Sequence, residues 1–133
     1  TYHKLNSLIY SQERYFMIIY KIFREEEFLE FEKKHETFGS FEDQKDGFIH
    51  LSTERQLLGT LKKHFYKEDN LVLMAIESEK ILNNLKWEKS RHNEMFPHLY
   101  SNLRYIDAIW FAPIQLIGDQ HIIPAGTQET ANA

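Results

Sequence analysis

An α+β fold with two main helices and a mixed or antiparallel sheet is what this sequence predicts. Both helical patterns fall in the first half of the chain and strand patterns dominate the second. The strands do not alternate regularly with helices, as a doubly wound parallel sheet requires. A length of 133 residues, 42 % of them hydrophobic and 14 % aromatic, suits one domain around one core.

The elements follow in order. Met17 looks like a natural beginning, so residues 1–16 are read as an N-terminal extension, 17–124 as the domain and 125–133 as a flexible tail. Ile18 to Phe23 is β-branched and aromatic, a first strand. Arg24 to Glu36 reads as a helix with Phe28, Phe31 and His35 at i, i+3 and i+7 forming an inward stripe. Glu25, Glu26 and Glu27 in its first turn and Lys33 and Lys34 in its last complement the helix dipole. Residues 38–45 read as a loop. Asp46-Gly47 is a turn signal, and Phe48 to Leu51 a short strand with His50 and Ser52 on one face. Thr53 to Tyr66 reads as the second helix, opened by a Thr53-to-Gln56 capping box. Leu57, Leu58, Leu61, His64 and Phe65 would make its inner face. Gly59 costs about 1 kcal/mol there relative to alanine, which implies close packing.

Leu71 to Ile76 is continuously apolar, as a central strand buried on both faces would be. Ile81-Leu82 starts a short turn or helical piece, and Leu85 to Glu88 is a strand. Residues 89–95 are a polar loop. Phe96 to Tyr100 is extended, with Pro97 predicting an edge or a turn. Tyr105 to Ala112 is a strand closed by Pro113, and Gln115 to Ile117 and His121 to Ile123 form a hairpin around Gly118-Asp119.

The chain has no cysteine, which excludes disulfides, cysteine-zinc sites, iron–sulfur clusters and thiol catalysis and suits a cytoplasmic setting. A formal charge of −4 argues against general nucleic-acid binding but permits a local basic pocket. No apolar run approaches the roughly 18 residues that span a bilayer, so no membrane partner is expected. P-loop, Gly-x-Gly-x-x-Gly, Gly-x-Ser-x-Gly and His-x-x-x-His patterns are absent, and no metal is expected.

Three segments carry chemistry. His50 and Ser52 lie at a strand end beside a helix start, whose free N–H groups suit an anion. The plain alternative is a histidine bonding a neighbouring carbonyl and a serine that caps. The second segment runs from Lys86 to His92. Its cations suit phosphate oxygens, Arg91 bidentately. Its Glu88, on a strand, could polarise a ribose hydroxyl or stabilise a cationic transition state. A solvated charged loop is the alternative. In the third, Pro97-His98-Leu99-Tyr100, His98 could serve as acid or base and Tyr100 could stack on a flat ring, or the two could be a structural aromatic pair.

Ile19-Tyr20-Lys21-Ile22, Asp46-Gly47-Phe48-Ile49-His50-Leu51-Ser52, Leu85-Lys86-Trp87-Glu88, Ser90-Arg91 and Phe96-Pro97-His98-Leu99-Tyr100, in that order, resemble the domain of unknown function 952 family, small and mostly bacterial proteins. That family is similar in fold to ADP-ribosyltransferases, including RNA 2′-phosphotransferases. The resemblance implies an ADP-ribosyltransferase-like split sheet around a cleft for NAD or an ADP-ribose-like group. A strand-borne histidine near a hydroxyl residue contacts ribose in such folds, which His50 and Ser52 match, and a later strand carries a glutamate, for which Glu88 is the candidate. The function so implied is an ADP-ribosyltransferase-like or phosphoribosyl-processing enzyme, with NAD or a related nucleotide as substrate in a cleft around His50. His50, Glu88 and His98 would be catalytic, and Ser52, Lys86, Arg91 and Tyr100 would bind the ligand. The alternative is a non-catalytic nucleotide- or anion-binding module on the same fold.

Overall fold

Strand β5 (Leu71–Glu77) is apolar on both faces because both are covered, and the largest sheet is laid out around it. In this computed structural model residues 17–124 are described; the expected extension at 1–16 and tail at 125–133 lie outside them. Strand β1 (Ile18–Phe23) pairs antiparallel with β5 over its whole length, from Ile18 opposite Glu77 to Phe23 opposite Val72. On the other side lies β9 (Ala108–Ile117), whose register with β5 shifts between Ala75 and Ile76. Adding β4 (Ser52–Thr53) and β10 (Gln120–Ile122) gives five strands in the order β10-β9-β5-β1-β4. A second sheet has the order β3-β7-β6, from Ile49–His50, Met95–Leu99 and Leu85–Lys89, and a small ribbon pairs β2 (Glu36–Thr37) with β8 (Leu103–Arg104). Every pairing among the described residues is antiparallel, so the fold is α+β with antiparallel sheets.

The two faces of the large sheet hold separate clusters, as the alternation of strand side chains requires. Ile19, Phe23, Met74 and Ile76 pack with Ile49, Leu99 and Leu103 of the smaller sheets. Helix α1 (Glu25–Lys34) closes this side with Phe31, which is fully buried and stacks on Phe23 at 4.9 Å between ring centroids. On the opposite face Tyr20, Ile22, Leu71, Leu73 and Ala75 meet Leu57 and Leu61. These two belong to helix α3 (Leu57–His64), which follows a 3-10 turn at Glu54–Gln56. The expected capping box is there: Thr53 N–H donates to Gln56 Oε1 at 3.0 Å.

Several expectations are corrected. His35 is exposed rather than inward; it ends α1 in a left-handed conformation, φ 65°, with its N–H on the Phe31 carbonyl. The stretch 38–45 is not only a loop, because helix α2 (Phe41–Asp46) begins inside it. Asp43 N–H donates to Ser40 Oγ at 3.1 Å and Ser40 N–H to Asp43 Oδ2 at 2.9 Å, a capping pair written in the sequence as Ser-x-x-Asp. Leu58 points outward, 60 % exposed. Phe48 to Ser52 is not one strand: β3 ends at His50, and Ser52 joins the other sheet opposite Tyr20.

Both prolines depart from expectation. Pro97 sits in the middle strand of its sheet, yet Leu51 N–H donates to its carbonyl at 3.1 Å just past the two-residue β3. Its missing N–H lies on that same side, opposite Leu51, so this last pair of the ladder keeps one of its two bonds. Strand β9 likewise runs through Pro113 to Ile117, since β10 stops opposite Gln115 and leaves Pro113 a strand partner on one side only. The terminal hairpin matches expectation, with Ile117 opposite Gln120 and Gly118 at φ 62°. No helix among the described residues is long and apolar enough to cross a membrane.

Candidate functional site

Lys21 sits among apolar neighbours in β1, on the same face as Ile19 and Phe23, and is 6 % exposed. A buried ammonium requires a partner, and its Nζ lies 2.7 Å from Asp43 Oδ2. Asp43 is itself 2 % exposed. Its two oxygens accept from Lys21 Nζ, from Ser40 N–H and, at 3.2 Å, from His50 N–H. The fourth contact is the shortest: His50 Nδ1 lies 2.6 Å from Asp43 Oδ1. Burial alone would raise the Asp43 carboxyl, but the His50 hydrogen bond and the charge and hydrogen bond of Lys21 outweigh it and hold the group well below the usual carboxylate range. An ionised carboxylate can only accept, so Nδ1 of His50 carries the hydrogen and Nε2 is turned toward Asp46, whose Oδ2 is 3.1 Å away.

This relay opens into a cleft of about 280 Å³, near the small end of the roughly 300–1,000 Å³ usual for ligand pockets. Residues of both larger sheets line it: Lys21 and Ser52 from one, His50 and His98 from the other. Helix α3 contributes Thr60, Lys63 and His64, and the turn between β6 and β7 contributes Arg91. The Ser52 and Thr60 hydroxyls are 3.0 Å apart. Burial first, and then the charges of Lys63 and Arg91, push the His64 ring below its ordinary value.

Of the seven residues expected at the site, four line this cleft: His50, Ser52, Arg91 and His98. Glu88, Lys86 and Tyr100 are not among its walls. They form a cluster of their own: His98 Nδ1–H and Tyr100 O–H both donate to Glu88 Oε1, at 2.8 and 2.7 Å, and Lys86 Nζ lies 4.7 Å from the Tyr100 ring centroid. The bond from Tyr100, followed by that from His98, lowers the Glu88 carboxyl. Glu88 therefore touches the cleft only through His98. That ring is stacked on Phe48 at 4.0 Å and stands edge-on to His50 at 5.5 Å. Glu88 and Tyr100 thus stand beside the cleft, joined to its wall through His98. Among the described residues no group of three His, Cys, Asp or Glu could hold a metal ion.

The family model described as protein of unknown function (DUF952) matches residues 22–111. The chain belongs to the DUF952 family. Protein CC0527 from Caulobacter crescentus, a structural genomics target, is similar to this DUF952 protein in both sequence and structure. Its crystal structure shares 38 % identity over 86 % of this chain and 98 % of its own, with a TM-score of 0.76. Its solution structure shares 37 % identity over 87 % and 98 %, with a TM-score of 0.71. No curated protein matches the chain.

Lys21, Asp43, Asp46, Thr60 and Lys63 of this DUF952 chain line the cleft without being expected there, and Lys21 and Asp43 anchor it. Each of these two had a local signal: a lysine on the buried face of an apolar strand, and an aspartate three residues after a serine. The relay also sets an acid sensitivity. The Asp43 carboxyl lies lower in the folded chain than its value of about 3.9 in an unfolded one. Its contribution is thus complete above that unfolded value and is lost as pH falls through the folded one. Urea midpoints are expected to fall on going from pH 6 to pH 3, and to fall less in Asp43→Asn. Equal slopes in the two proteins would contradict this.

Proposed function

We propose that this protein is an ADP-ribosyltransferase-like or phosphoribosyl-processing enzyme that takes NAD or a related nucleotide in the cleft around His50. The reading includes an ADP-ribosyltransferase-like fold, for which the support is a cleft lined by two antiparallel sheets. The observation that carries it is the 2.6 Å contact of His50 Nδ1 with a buried, ionised Asp43 at the wall of a cleft that also holds Arg91 and Lys63. With Nδ1–H committed to Asp43, Nε2 would take a proton from a substrate hydroxyl that displaces Asp46 from its side, 3.1 Å away. The resulting imidazolium would be shared between Asp43 and Asp46. In the transfer, the acceptor oxygen gives its proton to Nε2 and bonds to the anomeric carbon, while the leaving group departs with the glycosidic electron pair. Asp46 replaces Glu88 as the carboxylate facing the developing positive charge.

Asp46 occupies the side of Nε2 that a substrate hydroxyl would need, and this favours the second reading, a module that binds a nucleotide or anion at Arg91 and Lys63 without turning it over. Calorimetry and product analysis with NAD, ADP-ribose and 2′-phosphorylated RNA decide between them. Heat and product with one of the three is the expected result. Saturable binding without product selects the module, and neither heat nor product with any of them overturns both.

A further inference from the structure

We infer that Arg91, Lys63 and Thr60 form a subsite for a phosphate monoester, and that Gly59 is the residue that keeps it open. This rests on the reading of the cleft as a phosphoribosyl site and narrows its ligand to compounds that carry a phosphate monoester, as 2′-phosphorylated RNA does and NAD and ADP-ribose do not. On a helix of 3.6 residues per turn, Gln56, Thr60, Lys63 and His64 fall on one stripe. That stripe adjoins the buried Leu57 and Leu61, and Thr60, Lys63 and His64 face the cleft.

Arg91 reaches this stripe from the turn after β6. Its guanidinium lies 5.0 Å from the centroid of the Phe96 ring. Its Nη2 makes only two long bonds, each 3.4 Å, to the Gln56 carbonyl and Thr60 Oγ1. Neither Arg91 nor Lys63 has a carboxylate partner among the described residues, whereas Arg24 and Arg104 are held by Glu68 and Asp107. A guanidinium offers five N–H groups, so most of the fork is unspent. Arg91 and Lys63 bring two positive charges to the cleft, whereas a phosphate diester carries only one negative charge. A monoester offers three oxygens and close to two negative charges.

Gly59 supplies the second observation. It carries no left-handed backbone angle, and glycine in a helix interior costs stability relative to alanine. A Cβ built on it would lie 2.9 Å from Arg91 Nη2 and 3.4 Å from Cζ. The end of a flexible side chain can retreat from such a contact, so alanine is compatible with folding. It is not compatible with the guanidinium where it now sits.

The test is calorimetric binding of ribose 5-phosphate and of inorganic phosphate at one fixed salt concentration, alongside thermal unfolding. The intact chain is expected to bind ribose 5-phosphate, and Arg91→Ala to weaken it roughly 10- to 100-fold, the range for losing hydrogen bonds to a charged group. Gly59→Ala should lose affinity several-fold while its unfolding temperature stays level or rises, a pairing that general damage to the fold does not produce. Lys62→Ala, on the exposed side of the same helix, should bind normally. No binding by the intact chain, unchanged affinity in Arg91→Ala, or unchanged affinity in Gly59→Ala each overturns the subsite. The two proposals separate cleanly. Turnover of any of the three nucleotides, beside ribose 5-phosphate binding that survives Arg91→Ala, sinks the subsite alone. Phosphate binding that depends on Arg91, with no turnover of any substrate, sinks the enzyme alone.

Discussion

Asp43→Ala is expected to destabilise the protein by about 3–5 kcal/mol, the cost of breaking a buried ion pair by removing one partner. That is a large part of the roughly 5–15 kcal/mol that holds a domain together. The alanine would leave the Lys21 ammonium inside the protein without its 2.7 Å partner. It would also take the acceptor from the Ser40 and His50 N–H groups, loosening the start of α2 and the strand that carries the imidazole. Urea unfolding measures the effect. A second chain, Lys21→Met with Asp43→Leu, should be less destabilised than Asp43→Ala, because both charges leave the interior together. A loss below about 1 kcal/mol in Asp43→Ala would show that water reaches Lys21 and that the pair is not the anchor of the site.

His50→Ala is expected to lower turnover of whichever nucleotide proves to be the substrate by about 100- to 10,000-fold, the contribution of a positioned acid or base. Stability should change far less than in Asp43→Ala, since the His50 side chain is 43 % exposed and its removal leaves Asp43 with Lys21 and Ser40. Asp43→Asn should reproduce much of the kinetic loss with the imidazole still present, because an amide that donates to Nδ1 reverses which ring nitrogen is free. Turnover by His50→Ala within a few-fold of the intact chain would make the imidazole a spectator.

Strand-borne features were legible from residue type alone. The six apolar residues Leu71 to Ile76 announce a strand covered on both sides, and Gly118-Asp119 announces a two-residue hairpin. His50 was found because one imidazole interrupts an apolar run beside a turn. What was illegible depends on contacts between distant segments. Asp43 lies in a six-residue helix whose apolar periodicity is too short to read, and its importance comes from Lys21, 22 positions away. Glu88 and Lys86 read as site residues because they are charged and lie on one face of a strand; the bonds of Glu88 to His98 and Tyr100 join segments that the sequence does not place together. Pro97 and Pro113 sit inside strands because each stands just past the end of a short neighbouring strand, and strand lengths elsewhere decide that.

The most direct test of the whole is a titration of ribose 5-phosphate into protein carrying nitrogen-15 in its histidine and arginine side chains. The free protein should show His50 with a hydrogen on Nδ1, and added ligand should shift the His50 Nε2 and Arg91 resonances together along one saturating curve. Side-chain resonances that stay in place while ligand is added, or a His50 ring whose Nδ1 is bare, would contradict the account.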